Sequence, residues 1–208
     1  MEVAMQENSL NSQQNFNPIL FTLARLGVQH AVKGLSDMVG EQISATEPVL
    51  NAVPALKVPE FIGGLEKEAV GVYLRGTGQA AGQFMLILPI ANALEFVDLL
   101  MGEPLGTCVE LDDMGRSALA ELGNMAGTFF LNAIAQLTGL ETRPTEPAVI
   151  VDMVGAILTV VVATSASAVE EVIIINTSIL NGERSTETIF WYIPDPRTME
   201  ILDAKYSA

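Results

Sequence analysis

The sequence predicts an α+β fold of two similar halves that share one antiparallel sheet, with long helices packed on it. Three observations carry this. The predicted elements run helix, strands, helix, and then the same again. Thr145-Glu146-Pro147 superposes without a gap on Thr46-Glu47-Pro48, an offset of 99 residues that also aligns Gly139 with Gly40 and Leu122 with Leu23. Half of the 208 residues are hydrophobic and 17% are charged, so a sizeable core is available. The length fits one domain over 16–208, with halves at about 16–103 and 111–203, after a polar, aperiodic tail over 1–15.

Each element has its own signal. Pro18 suits the first turn of a helix that runs to Val39, where Leu20, Leu23, Ala24, Gly27, Ala31, Leu35 and Met38 recur at steps of three and four before Gly40 stops it. Pro48, Pro54 and Pro59 mark connecting and edge segments. Strands are expected near Glu68–Arg75 and Gly82–Leu88, joined through a turn that opens with Gly76-Thr77-Gly78. Pro89 then opens a helix over Ile90–Met101. Asp112 or Asp113 caps a longer helix that ends near Thr138 before Gly139. From Ala148 the β-branched residues predict strands over 149–162, 169–180 and 185–193, the last two joined at Asn181-Gly182. A short helix over 198–202 closes the chain.

Charge and termini exclude whole classes of function. With 25 acidic against 10 basic residues the net charge is −15, which opposes binding to nucleic-acid phosphates and to anionic membrane surfaces. The two long uncharged stretches, 76–94 and 153–169, contain interior Gly, Pro, Gln or Ser and read as buried strands and turns, so no membrane insertion is expected. Met1 to Glu7 lacks a secretory pattern, and Cys108 has no partner cysteine, so the expected compartment is the cytoplasm. One Cys with one His, His30, makes no soft-metal site, and no metal of its own is expected. His30 reads as a surface or satisfied core histidine, Phe190, Trp191 and Tyr192 are assigned to core and edge packing, and core filling accounts for Met101, Met114, Met125 and Met153.

The helix from Asp113 to Thr138 carries the chemistry. At about 100° per residue, Ser117, Glu121 and Asn124 fall within roughly a 60° arc and Thr128 continues the line. Leu119, Leu122, Ala126, Phe129, Phe130, Ala133 and Leu137 lie opposite. A solvated face would carry Lys and Glu pairs; here one carboxylate stands between a hydroxyl and an amide with no cation. Gly123 and Gly127 each weaken the helix by roughly 1 kcal/mol relative to Ala. Two readings fit them: close packing against the protein's own core, or close approach of a partner, which would place Gly127 with Ser117 and Thr128 as partner-binding residues.

Ser117, Glu121 and Asn124, with Pro147 after 22 further residues, resemble the signature of the CheC, CheX and FliY phosphatases of bacterial chemotaxis, and CheC most of all. The run from Glu121 to Gly127 matches it closely, and the resemblance covers about Phe16 to Leu202. It implies hydrolysis of the aspartyl phosphate of a CheY-type response regulator. Mg²⁺ would be supplied by the regulator, with Asn124 positioning water and Glu121 meeting the regulator's active-site lysine. Ser117 would fix the docking geometry or the Glu121 rotamer, Pro147 would shape the strand entry behind the helix, and CheD is a further candidate partner. The first half departs from the pattern, because Pro18, Thr22 and Arg25 stand where Ser117, Glu121 and Asn124 stand in the second. The alternative function is a non-enzymatic adaptor that binds a response regulator, CheD or the flagellar switch.

Overall fold

The computed structural model describes residues 18–164, 171–182 and 184–206; the tail expected over 1–15 lies outside them. Helix α1 spans Pro18–Val39, strands β1 and β2 span Ser44–Ala45 and Val49–Pro54, and a 3-10 helix follows over Ala55–Phe61. Next come β3 (Glu68–Gly78), β4 (Gly82–Pro89) and α2 (Ile90–Met101). The second half contains α3 (Asp113–Thr138), β5 (Thr142–Pro144), β6 (Ala148–Met153), α4 (Val154–Thr164), β7 (Glu171–Asn181), β8 (Arg184–Pro194) and α5 (Pro196–Tyr206).

The strands form one antiparallel sheet with β4 and β8 at its centre, β3 beyond β4 and β7 beyond β8. The two halves exchange their leading strands. First-half β1 and β2 pair with β7, while second-half β5 and β6 pair with β3. The duplication is visible in the element boundaries: β2 and β6 begin 99 residues apart, at Val49 and Ala148, and so do the 3-10 helix and α4, at Ala55 and Val154. β3 runs past the expected Arg75 because Gly76, Thr77 and Gly78 pair with Pro144, Arg143 and Thr142.

Alternating side chains serve two cores. Val70, Val72, Leu74, Phe84, Leu86, Ile173 and Ile175 face the layer of α1, α2 and α3. There Phe130 of α3 stacks on Tyr192 and Phe84 with ring centroids 4.8 and 5.3 Å apart, contacts of about 0.5–1.5 kcal/mol each beyond their buried area. On the other face Met85, Ile87, Val172, Ile174 and Trp191 meet α4 and the 3-10 helix.

α4 corrects the strand expected over 149–162. Only Ala148–Met153 is strand, and Val154–Thr164 is helix. Val154, Ile157, Leu158 and Val161 are buried at helical spacing over the second sheet face, so tertiary burial outweighs the modest helix penalty of β-branched residues. The expected strand over 169–180 begins, among the described residues, at Glu171. The closing helix is longer than expected, with the Thr198 hydroxyl donating to the Ala81 carbonyl at 2.7 Å. Met114, Met153 and Met101 are 66, 51 and 40% exposed, so core filling does not account for them; Met125 packs against the core.

Candidate functional site

α3 is fixed at both ends and along one side. The Asp112 carboxylate accepts from the Gly115 amide at 2.8 Å, capping the first turn, and Gly139 ends the helix at φ 73°, where a side chain would be strained. The buried side rests on β3. A Cβ on Gly123 would overlap Val72, and one on Gly127 would overlap Leu74. Both glycines are buried, so Gly127 belongs to the helix–sheet contact and not to a partner-binding surface. Close packing is the reading that holds, and it draws α3 onto the sheet.

The opposite side carries the candidate residues. Ser117 and Glu121 are exposed, and Asn124 and Thr128 are half-buried along the same line. The Ser117 hydroxyl donates to the Asp113 carbonyl at 2.9 Å, which ties it to its own helix. Neither the Glu121 carboxylate nor the Asn124 amide has a hydrogen-bond partner among the described residues. Their donors and acceptors face outward, and an amide so placed can hold a water and touch an oxyanion at once. Pro147 is half-buried one residue before β6, in a turn fastened to β3: the Thr145 amide donates to the Arg75 carbonyl at 2.8 Å, and the Arg75 amide donates to the Thr145 hydroxyl at 3.0 Å. α3 packs against both β5 and β6, so the turn and the polar line belong to one structural unit.

No family model matches the chain. It is 28% identical to the CheY-P phosphatase CheC of Bacillus subtilis over 188 residues, covering 88% of this chain and 90% of that protein. Among solved structures it superposes on Thermotoga maritima FliY with a TM-score of 0.68 at 17% identity, over 89% of this chain and 92% of the other. The FliM middle domain from H. pylori gives 0.67 at 13% identity, over 90 and 96% of the two chains. A CheC-like protein from Shewanella gives 0.54 at 14%, over 84 and 97%. In sequence the chain is similar to CheC, and in fold to FliY, CheX and CheC-like proteins.

In this CheC-like chain the first half keeps the scaffold and changes the surface. Pro18 and Arg25 are exposed, and the Thr22 hydroxyl donates to the Pro18 carbonyl at 3.0 Å. Arg25 takes no ion-pair partner among the described residues and borders a cleft of about 250 Å³ with the Ser44–Pro48 segment. A guanidinium only donates hydrogen bonds, so Arg25 cannot hold a water as an amide does. His30 lies beside Phe129 with ring centroids 6.0 Å apart, and Trp191 is buried in the second core, so both are packing residues.

Sequence reasoning missed Asp98. It is 2% exposed on α2, and its two carboxylate oxygens accept from the Gly106 and Cys108 amides, each at 2.7 Å. The connection from Gly102 to Asp112 is thereby held against α2. The signal was present: an acid among Ala93, Phe96 and Val97 on the buried face of a helix, followed by a stretch with two glycines. No described helix is long and apolar enough to cross a membrane, and no three described His, Cys, Asp or Glu side chains gather into a metal-holding group.

Proposed function

We propose that this chain is a cytoplasmic phosphatase acting on the aspartyl phosphate of a CheY-type response regulator in chemotaxis signalling. One observation carries the reading: Glu121 and Asn124 lie on an ordered, outward line of a helix fixed at both ends, with no hydrogen bond among the described residues to satisfy them. The likeness to Bacillus subtilis CheC, a CheY-P phosphatase, supports it. In the proposed step Asn124 orients a water in line with the phosphorus while Glu121 pairs with the regulator's active-site lysine. The regulator brings its own Mg²⁺. Phosphoryl transfer rests on positioning and charge stabilisation, so an amide on a rigid helix suffices without a strong base. Ser117, tied to its helix, and Thr128 flank the contact.

The test is phosphate release from a phosphorylated CheY-type regulator with Mg²⁺. Added protein accelerates the loss, and Asn124→Ala removes most of the acceleration while binding persists. An unchanged decay rate at saturating protein refutes the activity, and full activity in Asn124→Ala refutes the mechanism. The second reading, an adaptor for a regulator, CheD or the flagellar switch, draws on the likeness to FliM structures and on Arg25 in the first half. It predicts binding without any change in phosphate lifetime.

A further inference from the structure

We infer that Met114, Val109 and Met101 form an apolar anchor that docks the response regulator beside the Glu121–Asn124 line, an inference that rests on the phosphatase reading above. Val109 is 81% exposed, Met114 66% and Met101 40%, and the three line one open cleft of about 270 Å³ where α2, the following connection and the start of α3 meet. Exposed apolar side chains gathered into one patch with a polar rim have the pattern of an interaction surface.

Position selects the occupant. Met114 precedes Ser117 by three residues and Glu121 by seven, so it extends the polar line by one turn on the same face of α3. The rise from Met114 to Asn124 is about 15 Å, and a standard interface of about 800 Å² per partner is a patch of about 16 Å radius. A regulator that brings its phosphoryl group over Asn124 therefore covers Met114 as well. Glu103, Glu110 and Asp112 border the same cleft, so the complementary surface is an apolar spot flanked by Lys or Arg. The platform is also preorganised. Asp98 holds the Gly106 and Cys108 amides and so fixes the backbone that presents Val109, which lowers the ordering needed on binding.

The test measures binding of a CheY-type regulator, activated with Mg²⁺ and beryllofluoride, to the full chain, to Asn124→Ala and to the double variant Met114→Gln with Val109→Ser. Both substituted positions are exposed, and unchanged thermal melting verifies the fold. The inference predicts that the double variant raises Kd about tenfold or more, while Asn124→Ala binds like the parent. An unchanged Kd in the double variant, with the parent still releasing phosphate, overturns the docking role and leaves the phosphatase reading intact. A parent that neither binds nor accelerates phosphate loss overturns both. A parent that self-associates, with a dimer that the double variant breaks, assigns the patch to a second copy of the chain and overturns the inference.

Discussion

Replacing Gly127 with Ala sets two forces against each other. Helix propensity alone favours the change by about 1 kcal/mol. The structure opposes it, because the new Cβ would overlap one Leu74 methyl and lie 2.9 and 3.0 Å from its other methyl and its Cγ. Leu74 is wholly buried on β3, in a stretch paired to β4, with Gly76 just beyond it pairing to β5, so the backbone behind it is held. Overpacking of this kind costs about 1–3 kcal/mol, and an overlap this tight belongs at the upper end. The net expectation is a loss of about 1–2 kcal/mol, or roughly 2–8 °C in Tm for a domain of this size. Urea and thermal unfolding measure it. Leu74→Val removes the two overlapping methyl positions, so the double variant should recover at least about 1 kcal/mol relative to additivity. A Gly127→Ala protein more stable than the parent, or a double variant that is merely additive, refutes the packing account. Lost phosphate release at unchanged stability would return Gly127 to the partner surface.

Two further expectations concern the connection after α2. Asp98→Ala removes two short, charge-assisted hydrogen bonds and should lower stability by about 2–3 kcal/mol, with faster hydrogen exchange at the Gly106 and Cys108 amides; unchanged exchange there counts against the clamp. Burial, followed by the Asp98 and Asp112 charges, pushes the Cys108 thiol above its usual pKa. Its reaction with a disulfide reagent should therefore be slower in the folded than in the unfolded chain near neutral pH and keep rising into the alkaline range. The unfolded thiol ionises first, so the associated stability is complete below the unfolded thiol's pKa and falls as pH rises through the folded value. Equal rates in folded and unfolded protein would contradict this.

The helices were legible because their ends carry chemistry that acts locally. Asp112 caps and Gly139 terminates α3 by contacts within a turn, and the line of Ser117, Glu121 and Asn124 follows from helical geometry alone. α4 was not legible in the same way. Its Val, Ile and Thr content reads as strand, and only the second sheet face, assembled from β3, β4, β7 and β8, makes helical burial of Ile157 and Val161 the better outcome. The direction in which Gly123 and Gly127 face depended on Val72 and Leu74, about fifty residues away in sequence. The Asp98 clamp closes within ten residues, yet the presence of an acid on an apolar face does not reveal which amides it will hold.

The exchange of leading strands between the halves has a consequence for how the chain is made. β2 ends at Pro54, but its partner β7 begins at Glu171. At usual rates of synthesis that gap lasts on the order of ten seconds. Through that interval the first half has its helix and hairpin, but β1 and β2 lack their partner β7, while β3 waits for β5 and β6. α3 is complete at Thr138, before the last of the sheet beneath its core has been translated. A nascent or truncated chain thus lacks the finished support for the Glu121–Asn124 face, and competence to engage a regulator should arrive late and all at once, with the final hairpin.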